Sequence, residues 1–130
     1  MEEETTQSAL SVAANIGFNS YSGNCMVVHP SDMHFIWATG PIIVIKSINK
    51  PQNTYLKGHQ ATICSIAVSK NGKLLASGEN QAPGQPAALI VWSFDTYEML
   101  FRVRYHKEEI LALSFSCDSE FLLSLGGQKD

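Results

Sequence analysis

The chain has 130 residues, 45% of them hydrophobic, 16% charged and 9% aromatic, with a net charge of −3. That length bounds it to about one domain, and its apolar content exceeds that of chains too polar to offset their ordering entropy. Nine Lys and Arg against twelve Asp and Glu offer little to neutralise phosphates, so no nucleic acid is expected as a partner. No apolar run approaches the roughly 18 residues of a membrane helix, so no membrane is expected either.

The first residues, Met1-Glu2-Glu3-Glu4, are acidic, unlike a signal or transit peptide. Residues 1–15 read as an N-terminal tail, with a short helix over Gln7 to Ala14 as the alternative. Cys25, Cys64 and Cys117 are odd in number and widely spaced, which points to thiols in a reducing compartment. The lack of any Asn-x-Ser/Thr sequon agrees with that reading. The low charge content points to a surface that meets other protein.

From residue 16 onward the chain repeats itself. His59 and His106 lie 47 positions apart, and Ile63 to Ser69 stands over Ile110 to Ser116 at the same offset. Ile42 to Lys46 stands over Leu89 to Ser93, also at 47, whereas Val28 stands over Val68 at 40. The seven-residue difference falls in Glu79 to Ala88, and surface connections tolerate such length changes. The units divide as a divergent first over 16–59, a second over 60–106 and half of a third over 107–130.

The units read as strands. Cys64, Ile66 and Val68 alternate with Ser65, Ala67 and Ser69, as Leu111, Leu113 and Phe115 do with Ala112, Ser114 and Ser116. Period two places one set on a buried face. Asn71-Gly72 signals a hairpin turn, and Cys117-Asp118-Ser119 holds the same place in the next unit. Leu74 to Ser77 and Phe121 to Ser124 predict strands buried on both faces, and Leu89 to Trp92 a third strand. Phe101, Val103 and Tyr105 alternating with Arg102, Arg104 and His106 predict a half-exposed outer strand whose polar residues discourage edge aggregation. Four strands per unit of 40–47 residues is the spacing of a β-propeller blade.

Gly58-His59 opening a unit and Val91-Trp92 closing its third strand resemble the Gly-His to Trp-Asp frame of WD-repeat propellers. Ile63 to Gly78 resembles that family's first two strands. The resemblance covers about residues 25–126 and implies an all-β fold, about two and a half blades forming the N-terminal portion of a WD-repeat β-propeller. It also implies a structural network of His59, Ser77 and Trp92, with His106 repeating His59. Two departures stand out. Ser93 follows Trp92 where the family has Asp, and Gln81 to Pro86 offers no acid where the family places one before the third strand. The buried network is therefore expected to be incomplete. Propellers close with roughly 4–8 blades, so further blades from a longer chain or from another chain are expected as partners.

A narrower resemblance rests on Ile16-Gly17-Phe18-Asn19, His29-Pro30, His34, Ile36, Gly40, Leu56 to His59, Ala76 to Glu79, His106-Lys107 and Ser124 to Gly127. These are similar to a WD-repeat family of ciliary doublet microtubules. That resemblance implies a non-enzymatic microtubule inner protein of the cilium or flagellum axoneme, contacting tubulin and other inner proteins. The competing reading is a WD-repeat adaptor in a soluble complex.

No Cys-x-x-Cys or His-Glu-x-x-His is present, so no metal site is expected; His29 and His34 read as turn and packing residues. No phosphate-binding glycine pattern occurs, and no cofactor is expected. Cys64 sits on the apolar phase of a strand and reads as core rather than nucleophile. Asp118 and Glu120 read as turn and strand-start residues. Gln81, Pro83, Gln85 and Pro86 form an uncharged, proline-stiffened loop that is either solvated or a partner contact. Arg102 and Arg104, with Lys107, are either a solvated strand or a patch facing acidic tubulin. No catalytic residue is assigned.

Overall fold

The computed structural model describes residues 23–130. The tail over 1–15, the alternative helix at Gln7 to Ala14 and the Ile16 to Asn19 stretch lie outside the described residues. A 3-10 turn, Gly23–Cys25, precedes ten strands: β1 Met26–Val28, β2 His34–Thr39, β3 Ile42–Ser47, β4 Asn53–Lys57, β5 Ile63–Val68, β6 Leu74–Glu79, β7 Ala87–Ser93, β8 Met99–His106, β9 Ile110–Phe115 and β10 Leu122–Gly126. They form two four-stranded antiparallel sheets, β1-β2-β3-β4 and β5-β6-β7-β8, and a two-stranded sheet of β9 and β10. The first strand of each sheet packs beside that of the next, β1 against β5 and β5 against β9.

The core lies between sheets. Ile36, Ile43 and Ile45 of the first sheet meet Ile66, Leu75, Ile90 and Trp92 of the second. On the other side of the second sheet, Ala76, Leu89 and Val91 meet Ile110 and Phe115 of the third. This two-sided packing corrects the period-two reading of β5. Ile63 to Ala67 are all buried, because a neighbouring sheet covers each face. Small Ser65 and Ala67 fit where sheets approach closely.

Three turns repeat with one chemistry. The carbonyls of His29, Ser69 and Ser116 accept the N–H groups of Asp32, Gly72 and Ser119, each at 2.9 Å. Those three donors carry positive φ of 58°, 74° and 64°. Asn71 Oδ1 accepts the Lys73 N–H at 3.0 Å, and Asp118 Oδ1 accepts that of Glu120 at 3.1 Å. A short side-chain acceptor thus holds each turn. At Gly72 a Cβ would also lie 2.8 Å from the His29 ring. Gly72→Ala is therefore expected to cost about 1–3 kcal/mol, read as a lower urea midpoint; an unchanged midpoint would place that turn elsewhere.

The offset of 47 between β3 and β7 is off by one. His34 pairs Ser47, and Leu74 pairs Ser93, so Ser47 stands over Ser93. Ile43 and Ile45 face the next sheet as Leu89 and Val91 do. A slip of one residue moves every side chain to the other face, so the pairing and not the letter match decides. The length change does lie between β6 and β7: the β2–β3 turn holds only Gly40 and Pro41.

Two further expectations are corrected. In β10, Leu123 and Leu125 are 71% and 58% exposed, as is Phe121 just before it at 69%. Among the described residues no sheet covers that face, whereas Leu122 packs inward against the third-sheet core. In β8 the apolar phase is not buried as a half-exposed strand requires. Phe101 and Tyr105 are exposed, and only Val103 packs against the core.

Candidate functional site

Four side chains meet inside the second sheet. His59 stands just before β5, Ser77 and Glu79 lie on β6 and Trp92 lies on β7. Trp92 Nε1–H donates to Ser77 Oγ at 2.9 Å. Ser77 Oγ lies 2.6 Å from His59 Nε2, and His59 Nδ1 lies 2.9 Å from Glu79 Oε2. The network assigns the tautomer: an ionised carboxylate only accepts, so Nδ1 carries the proton and Nε2 accepts the Ser77 hydroxyl.

Glu79 overturns the expectation of an incomplete network. It is fully buried and supplies the acid missing from Gln81 to Pro86. Its Oε2 also accepts the Gln60 N–H at 3.2 Å, while Oε1 accepts Gln81 Nε2 and the Ala88 N–H, each at 3.0 Å. Burial works against its charge, but hydrogen bonds from His59, Gln81 and Ala88 outweigh it and hold the carboxyl down at about 2. Four donors around one carboxylate satisfy it without solvent.

Gly58 is small because Trp92 needs the space. A Cβ there would lie 2.9 Å from Trp92 Cη2 and 2.7 Å from Met99 Cε. The Gly-His pair is thus a packing requirement followed by a hydrogen-bonding one.

Serine, histidine and glutamate in this order have the connectivity of a nucleophilic triad. Ser77 is fully buried, however, and its oxygen already accepts from Trp92, so no substrate reaches it. The arrangement fastens β5, β6 and β7 together.

The third unit builds the same join from different backbone. His106 Nε2 lies 2.8 Å from Ser124 Oγ, and its Nδ1 bonds Asp130 Oδ2. The Lys107 N–H donates to Asp130 at 2.6 Å, as that of Gln60 does to Glu79. Asp130 sits four residues past Gly126, the counterpart of Glu79; its own counterpart in the second unit is Pro83. The acid comes from a strand in one unit and from beyond the strand in the next. Among the described residues the first sheet shows no such join: Trp37 stands at the place of Ser77, and Lys46 at that of Trp92.

The remaining candidates separate. Gln81 turns inward to Glu79 and donates its N–H to the Glu108 carbonyl at 2.6 Å, whereas Pro83, Gln85 and Pro86 are exposed. Arg102 donates to the Gly58 carbonyl, and Arg104 to Gln60 Oε1 at 3.2 Å. Asp118 holds its turn. His29 stacks on Phe94 with ring centroids 4.0 Å apart, and His34 meets the same ring edge-on at 5.2 Å, so both pack the seam between the first two sheets. Among the described residues no group of three metal-ligating side chains occurs.

Cys64 is buried, and its thiol donates to the Ile110 carbonyl at 3.0 Å. Burial pushes its pKa up to about 11. Since the thiolate is the reactive form, a thiol reagent at pH 8 is expected to label exposed Cys117 well before Cys64. Equal labelling rates in the native chain would contradict that burial.

Comparison with known proteins places these features. The family "WD domain, G-beta repeat" matches residues 49–81. Cilia- and flagella-associated protein 52 of Homo sapiens is 35% identical over 98% of this chain and 20% of that protein. Its counterpart in Chlamydomonas reinhardtii is 36% identical over 88% of the chain and 19% of that protein. WD repeat-containing protein 90 of Mus musculus is 27% identical over 93% of the chain. The chain spans about a fifth of the length of the first two relatives. Among solved structures, "Crystal structure of RRP9 WD40 repeats" superposes with a TM-score of 0.67 at 23% identity, over 78% of this chain and 31% of that one. The chain therefore has the fold of β-propeller blades, carries a WD-repeat match over residues 49–81, and is similar over nearly its whole length to cilia- and flagella-associated protein 52.

Proposed function

We propose that the chain is a non-enzymatic scaffold of the ciliary or flagellar axoneme, a microtubule inner protein that contacts tubulin and other lumenal proteins. The observation that carries this reading is the 35% identity to a cilia- and flagella-associated protein across 98% of the chain. The buried His59-Ser77-Glu79 join supports it, because the polar constellation most like a catalytic centre serves to hold strands together. The units over 16–59, 60–106 and 107–130 act as blades in this reading. The bare face of Leu123 and Leu125 fits a further blade, from a longer chain or another chain.

Peptide mass spectrometry on doublet microtubules extracted with salt and detergent tests the proposal. Peptides from Gly17 to Arg104 are expected in the resistant fraction. Recovery only in the soluble extract would sink the axonemal reading and leave the adaptor reading standing.

A further inference from the structure

The outer edge of the second sheet is open, although Val103 of β8 packs inward against the core shared with the third sheet. β8 is the longest strand, closes its sheet, and has no strand beyond it among the described residues. An edge strand presents unpaired backbone N–H and C=O groups, a template for another strand. Leu100, Phe101 and Tyr105 are 52%, 50% and 86% exposed along it. No acid interrupts the run from Met99 to Lys107, in a chain that is negative as a whole.

The two arginines give this edge its sign. Arg102 and Arg104 both reach the Gly58–Gln60 segment, so their guanidinium groups lie on one side of the strand. Among the described residues both are hydrogen-bonded to neutral acceptors, the Gly58 carbonyl and Gln60 Oε1. Among the described residues Lys129–Glu108 is an ion pair, and His59 and His106 contact the carboxylates of Glu79 and Asp130; none of these involves Arg102 or Arg104. Two exposed guanidiniums are thus held in place with no carboxylate of the described residues paired to them. A carboxylate is the group that a guanidinium fork binds best.

We infer that the β8 edge takes up a short, extended, acidic segment of a partner protein as an added strand, with its carboxylates on Arg102 and Arg104. Backbone pairing supplies the affinity, and alternate side chains supply the selectivity. The pairing of β8 with β7 is regular over Phe101 to Val103 and shifts on either side, so the segment is short and centred on Arg102. This deepens the scaffold reading and rests on its premise that the chain binds protein. The loop Pro83 to Pro86, also exposed, carries no charge to select an occupant.

The test uses the full chain and a synthetic peptide alternating Val and Glu over six residues, with a Val-Lys peptide as control. Fluorescence anisotropy should show binding of the acidic peptide and none of the basic one. Amide exchange should slow along Met99 to His106 when the acidic peptide is added. The R102Q/R104Q variant should bind about tenfold more weakly and with a smaller salt dependence, while Phe101 to Val103 stay paired with β7 as judged by exchange. Equal binding of both peptides, protection outside β8, or unchanged affinity in R102Q/R104Q would overturn the inference. None of these outcomes depends on where the chain resides, so failure here is distinct from failure of the axonemal reading.

Discussion

Replacing Trp92 by alanine is expected to lower the free energy of unfolding by about 3–5 kcal/mol. The indole is buried in the core between the first two sheets, together with Leu75, Ile90 and Phe94. It also closes the gap left at Gly58, where no Cβ fits. Truncation removes that packing and the Nε1–H bond to Ser77 at once. Ser77 would keep His59 as a partner, so the loss is mostly cavity and only secondarily hydrogen bond. Urea melting of the full chain measures it. A change below about 1 kcal/mol, the size of a surface substitution, would show that the strand is placed wrongly.

Glu79→Gln is the second large effect, at about 3 kcal/mol at neutral pH. A carboxyl held at about 2 instead of 4.5 stabilises the folded state by about 1.4 kcal/mol for each unit of the difference. The amide would also turn an NH2 toward two of the four donors that now meet carboxylate oxygens. The sign follows from the direction of the shift. A carboxyl depressed on folding contributes stability above its unfolded value of 4.5, and that contribution fades as pH falls toward 2. The native chain should therefore lose stability across that window, and the Gln variant should lack this component. Melts of both proteins between pH 7 and pH 2 decide it; parallel curves would mean that Glu79 is not the buried acid.

The strand plan was legible because each unit repeats its pattern. Turn residues at Asn71-Gly72 and Cys117-Asp118-Ser119 and the length change after Glu79 could be read directly. Burial was less legible, because alternation marks a one-sided sheet and these sheets are covered on both sides. Ser65 and Ala67 look like outward residues in the sequence yet lie in the seams. The β3 offset failed for a related reason. Ile42 to Ile45 is apolar at every position, so only backbone pairing reveals which residues face which way.

The missing acid was hidden by its position. The sequence points to the turn before the third strand, where Asp130 does serve the third unit. In the second unit the longer glutamate reaches the equivalent imidazole, His59, from β6. An acidic residue two positions after Ser77 shares its face of the strand, and that spacing is the signal that could have exposed it. The contacts of Arg102 and Arg104 span 44 residues in sequence, and no local pattern encodes them.

Glu79 completes the join through His59. Nitrogen-detected NMR of the His59 ring, followed from pH 7 to pH 3 alongside the Glu79 carboxyl carbon, tests it most directly. The ring is expected at pH 7 to carry a proton on Nδ1, with Nε2 accepting from Ser77, and the carboxyl is expected to stay ionised to below pH 3. A ring protonated on Nε2 alone, or a Glu79 carboxyl that titrates near 4.5, would contradict it.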